Sequence, residues 1–144
     1  MTVKPKQTCN AKDEPMHFSV GAVIEVGGKY LLIDRATEPL GFAGLAGHIN
    51  EGETPEEALF RKVEEESGLK VKRHSLLFQE EVEWNWCGAG VRPHYWFVYR
   101  CEIAGEARNN TEASKSIGWY APDEIGALTL EPVWKHWFGK ILSY

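Results

Sequence analysis

Apolar and polar positions fall into blocks of different period along this chain. Phe18–Val26 and Tyr30–Asp34 are apolar, β-branched runs separated by Gly27-Gly28, which predicts a β-hairpin. Residues 36–46 are rich in Gly, Ala and Pro and read as a loop. A helix is predicted from Thr54: Thr54 is a favourable N-cap, Pro55 suits the first helical position, and Glu57 completes a capping box. Gly68 supplies the stop. Val71–Trp84 reads as a long strand interrupted near Arg73–Ser75, and Asn85–Arg92 as a glycine-bearing loop. His94–Ile103 is strand-like, Gly105–Ser114 is a polar loop and Ile117–Tyr120 is a short strand. Pro122-Asp123-Glu124 starts a helix. Val133, Trp134, Trp137, Phe138, Ile141 and Leu142 then recur with helical rhythm. This order describes one mixed α and β domain over residues 16–144, after a polar, loosely held segment 1–15.

Composition narrows the class. A hydrophobic content of 43% in 144 residues suits one domain with a real core. A net charge of −5 argues against a general nucleic-acid or membrane-surface binder. Cys9, Cys87 and Cys101 contain no CxxC pair, so spacing indicates neither a disulfide framework nor a zinc motif. Reduced thiols and the lack of an apolar leader or spanning segment lead us to expect a cytoplasmic protein.

The acidity is concentrated. Between Gly47 and Leu69 stand Glu51, Glu53, Glu56, Glu57, Glu64, Glu65 and Glu66, offset by Arg61 and Lys62. That stretch alone carries −5, and the rest of the chain is balanced. Clustered carboxylates repel one another, and hard divalent cations favour oxygen ligands. At about 100° per residue, Glu65 and Glu66 flank one helical stripe with Lys62 and the small Ala58. Leu59, Phe60 and Val63 form the packing side, and Glu57 and Glu64 point to solvent. A plain solvated acidic helix face is the alternative, with Arg61 and Glu65 as an ordinary i,i+4 pair.

The register of this stretch resembles the Nudix box of the MutT/Nudix hydrolases. Gly47 is followed after five residues by Glu53 and after seven more by Arg61. Val63, Glu65, Glu66, Gly68 and Leu69 then stand in register. The resemblance implies an α+β Nudix fold, an α/β/α sandwich with a mixed β-sheet. It also implies a metal-dependent pyrophosphohydrolase using Mg2+ or Mn2+. Its substrate would be a nucleoside diphosphate linked to another moiety, a nucleoside triphosphate or another small diphosphate. By the same resemblance Glu65, Glu66 and the Ala46 carbonyl bind metal, Glu53 assists, and Arg61 positions a carboxylate.

Two positions depart from the family pattern. Lys62 stands where the box has a glutamate, and an ammonium there weakens the field that attracts a cation. Ala46 stands where glycine is frequent, and alanine resists positive φ. Either another carboxylate supplies the base that accepts the water's proton, with Glu112 as candidate and Glu83 behind it, or the chain is a Nudix module that binds a phosphorylated ligand with little or no hydrolysis. A third reading, a prenyl diphosphate isomerase on the same fold, would need Cys87 as an acid.

On the substrate side, Tyr95, Phe97 and Tyr99 alternate with Trp96 and Val98, a pattern that suits core packing better than base stacking. Trp84 and Trp86 flank the glycine-bearing loop and are the better base-stacking candidates. Arg35, Arg92 and His48 are candidate phosphate contacts. A homodimer is compatible with the sequence.

Overall fold

The computed structural model describes residues 4–142. The central sheet is mixed. β2 (Pro15–Val26) and β7 (His94–Ala104) run parallel, from His17 opposite His94 to Ile24 opposite Cys101. β6 (Lys70–Val82) lies antiparallel to β7, β3 (Lys29–Arg35) follows β2 through Gly27-Gly28, and β8 (Ser114–Tyr120) pairs with β3. Both turn glycines have positive φ, 60° and 80°, which glycine adopts without steric cost. Tyr95, Phe97 and Tyr99 alternate with Trp96 and Val98 because successive strand side chains point to opposite faces.

Helix α1 (Pro55–Ser67) covers one face of this sheet. The Thr54 hydroxyl accepts from the Glu57 N–H at 3.1 Å, the Glu57 carboxylate accepts from the Thr54 N–H at 3.0 Å, and Gly68 ends the helix at φ 74°. The Tyr99 hydroxyl donates to Glu56 Oε2 at 2.6 Å, joining β7 to α1. α3 (Pro132–Leu142) lies on the opposite face, where Trp96 packs edge-on against Trp134 and Trp137. α2 (Pro122–Ala127) connects β8 to α3. The result is a helix–sheet–helix sandwich. Its core includes fully buried Leu59, Val63, Trp134, Trp137 and Phe138. No described helix is long and apolar enough to cross a membrane.

Several local expectations are corrected. The predicted loop 36–46 contains β4 (Phe42–Ala43) on β3 and the start of β5 (Leu45–His48) on β2. Pairing across the sheet overrides the glycine content there. β6 is continuous. Its bulges lie between Val71 and Arg73 and between Leu76 and Phe78, on either side of the predicted break. In the segment expected to be loose, Gln7–Cys9 form β1 against β2, with Gln7 opposite His17. Residues 1–3 of that segment lie outside the described residues. Phe60, assigned to the packing side of α1, is 41% exposed and stacks edge-on with His74. Ala58, placed on the stripe with Glu65 and Glu66, is fully buried.

Candidate active site

A cavity of ≈ 440 Å³ opens beside α1, within the usual size range of small-ligand sites. Glu66, Lys62, Ala46, Gly47, His48 and Arg35 all line it. β5 delivers Ala46 to His48, the last turn of α1 delivers Glu66, and the end of β3 delivers Arg35.

Glu66 is buried, and its Oε1 accepts from the Ala46 N–H at 3.1 Å. Burial pushes its pKa up to about 7, against the pull of the Lys62 charge and the Ala46 hydrogen bond. Desolvation disfavours the ionised carboxylate. Ala46 sits in a strand without positive φ: Asp13 is the non-glycine residue with positive φ among those described. The backbone strain expected there is absent.

Glu65 points differently. It is half exposed and held by Arg61 Nη1 at 3.2 Å and by Lys62 Nζ at 3.4 Å. Arg61 also grips Glu53 through two hydrogen bonds of 2.7 and 2.9 Å and donates to the His48 carbonyl at 3.0 Å. Glu53 Oε1 accepts from the Asn50 N–H as well. The Arg61 guanidinium beside Glu53 holds that carboxyl below the usual range. Bidentate pairing of this kind fixes orientation as well as charge. Arg61 thus ties the box loop, β5 and α1 together, while Glu53 and Glu65 stand outside the cavity lining.

The other sequence candidates divide. Arg35 lines the cavity and donates to the Pro39 carbonyl at 2.7 Å. Trp86 lines it and is 45% exposed. Trp84 is equally exposed but packs against His136, away from the main cavity. Arg92 is committed to an ion pair with Glu14 and to the Glu83 carbonyl, and Glu83 pairs with Lys12. Glu112 is exposed and absent from the lining, although its neighbour Ala113 contributes to it.

One acidic residue was missed. Glu131 is buried, lines the same cavity, and lies 3.9 Å from Arg35 Nε. Burial raises its pKa to about 7, opposed by Arg35 and reinforced by Glu66. Its carbonyl accepts from the Trp134 and Lys135 N–H groups at the start of α3. The available signal was an acidic residue directly before Pro132, a helix-start arrangement, but helix capping gives no hint that the side chain reaches a site built by α1. Two buried carboxylates with hard oxygen donors facing one cavity fit a divalent cation.

Comparison with known proteins identifies the family. The NUDIX domain family model matches residues 15–141. A "MutT-like protein" of Streptomyces ambofaciens is 32% identical over 128 residues, covering 87% of this chain and 77% of that protein. An "ADP-ribose pyrophosphatase" of Methanocaldococcus jannaschii is 44% identical over 61 residues, which covers 41% of this chain and 36% of that protein. Among solved structures, a MutT NUDIX hydrolase from Burkholderia pseudomallei matches with a TM-score of 0.66 at 28% identity, covering 76% of this chain and 85% of that one. The NUDIX domain of Shewanella oneidensis NrtR, solved with ADP ribose, matches in fold with a TM-score of 0.72 at 16% identity, covering 88% and 86%. With its box, its sandwich and its family match over most of its length, this chain belongs to the Nudix hydrolase family.

Proposed function

We propose that this protein is a divalent-cation-dependent pyrophosphohydrolase whose substrate is a nucleoside diphosphate linked to a second moiety. The observation that carries this reading is the pair of buried carboxylates, Glu66 and Glu131, facing one cavity that also presents Lys62 and Arg35. When bound, a magnesium or manganese ion neutralises diphosphate charge and makes a water more acidic. Glu66 and the Ala46 carbonyl are the donors for it, with Glu65 adjoining. Glu131, near neutral in its proton affinity, is suited to accept a proton from the attacking water. It takes the role first assigned to Glu112. Lys62 and Arg35 place positive charge where phosphate oxygens enter, and Trp86 offers a ring face at the rim. The partial similarity to an ADP-ribose pyrophosphatase supports a linked nucleoside diphosphate over a triphosphate.

Incubation with sugar nucleotides, dinucleoside polyphosphates and nucleoside triphosphates, each with magnesium or manganese, tests this. Release of a nucleoside monophosphate from the first class is the expected result. No turnover across the panel, combined with saturable binding of one member, would replace it with a phosphate-ligand module. The position of Lys62 in the cavity favours that second reading.

A further inference from the structure

Three histidines and a cysteine meet at the far wall of the cavity. His17 comes from β2, His48 from the end of β5 and His94 from the start of β7, while Cys87 comes from the loop after β6. One side-chain ligand atom from each lies within 4.8 Å of all the others. We propose that His17, His48, His94 and Cys87 form a tetrahedral zinc site that fastens the 83–93 loop to the sheet.

Two ligand pairs stand near the spacing that the ion sets, in a cluster that spans up to 4.8 Å and would contract on binding. Two nitrogens about 2.0–2.1 Å from a tetrahedral zinc stand about 3.3–3.4 Å apart, and a nitrogen and a thiolate sulfur about 3.5–3.6 Å apart. His48 Nε2 lies 3.3 Å from His94 Nε2, and Cys87 Sγ lies 3.8 Å from His17 Nδ1.

The outer nitrogens of His94 and His17 are held as those of zinc-binding imidazoles usually are. His94 Nδ1 faces the carbonyl oxygens of Asn85 and Arg92, so it carries the proton and Nε2 is bare toward the centre. His17 Nε2 faces Gln7 Oε1 at 3.2 Å, which leaves Nδ1 bare toward Cys87. Burial lowers the pKa of all three imidazoles, that of His48 to about 4, which favours the neutral rings that a metal binds. Binding then requires loss of the Cys87 thiol proton and transfer of the His48 proton to its outer nitrogen.

Four protein ligands close the coordination sphere, which marks a structural ion. The loop it anchors carries Trp86, Gly88 and Ala89, three residues of the cavity lining. The ion would therefore shape the substrate-facing wall without entering the chemistry at Glu66.

Cobalt(II) titration of chelator-treated, reduced full-length protein tests this site. The expected result is one equivalent giving visible bands of tetrahedral cobalt and a thiolate-to-cobalt charge-transfer band, both abolished by added zinc. Cys87→Ser, in the loop, should remove the charge-transfer band and weaken affinity by at least about 10-fold while the circular dichroism spectrum is retained. Gln7→Ala should weaken it by about 10-fold through the lost outer hydrogen bond. Octahedral cobalt spectra, or a charge-transfer band that survives Cys87→Ser, would overturn the proposal. Because the readout is spectroscopic, a negative hydrolysis assay leaves it standing, and the reverse also holds.

Discussion

The Lys62 side chain lies directly over Gly47: a methyl group on Gly47 would stand 2.3 Å from Lys62 Cε and 2.6 Å from Cδ. The first residue of the box is thus bare at the point where Lys62, one of the two departing residues, crosses it. The Lys62 stem runs along β5, and its ammonium reaches Glu65 at 3.4 Å.

Replacing Lys62 with glutamate should raise kcat/KM over a measurable wild-type rate by up to about tenfold, equivalent to 1.4 kcal/mol of barrier. The gain would come from removing a positive charge beside Glu65 and Glu66. Steady-state kinetics at saturating magnesium provides the check. A wild type without detectable turnover that becomes active only in this variant would establish the chain as a ligand-binding module.

Glu66→Gln should lower kcat/KM by more than about 100-fold, roughly 2.7 kcal/mol. The amide keeps an oxygen for the Ala46 N–H, and it removes a carboxylate that burial makes costly to ionise. Stability measured by urea unfolding in chelator should therefore be retained or increased. Loss of activity accompanied by unfolding would refute a direct role.

The pH dependence of stability is testable at Glu131. Its folded pKa, about 7, lies above the ordinary value of 4.5. The folded state therefore holds this proton more tightly than the unfolded state, and stability is lost as pH rises through the window from about 4.5 to 7. Glu131→Gln should flatten that decline and gain on the order of 1–3 kcal/mol at pH 8 in chelator, the α3 N-terminus offsetting part of the burial cost. Denaturant midpoints at pH 5 and pH 8 measure it, and equal differences between the two proteins at both pH values would disprove it.

Gly44→Ala should destabilise the fold by about 1–3 kcal/mol, because overpacking forces a rigid neighbour to move. The added Cβ would lie 2.5 Å from Trp134 Cη2, and Trp134 is fully buried between the sheet and α3. A thermal melt reads the effect, and an unchanged midpoint would show that α3 shifts freely on the sheet.

The hairpin at Gly27-Gly28, the capped helix α1 and the terminal aromatic helix were all legible from local pattern, because turn chemistry and helix caps act within a few residues. β4 and β5 were not, since their only support is pairing with β3 and β2. Phe60 shows the same limit from the other side. Its helical angle placed it on the packing face, but it lies over the edge strand β6, where it meets His74 and stays 41% exposed.

Spacing along the chain determined the family, the order of the elements and the concentration of charge on one helix. Tertiary structure decided which charges share a space. Glu65 turns outward to Arg61 and Lys62 while Glu66 turns into the cavity. Glu131, 65 residues further along the chain, joins it there. His17, His48, Cys87 and His94 carry no metal-binding spacing, yet three strands and a loop end at one point and bring them together. Local sequence encodes backbone preferences over a few residues, whereas the surroundings of a side chain depend on distant segments that only the folded sheet sets side by side.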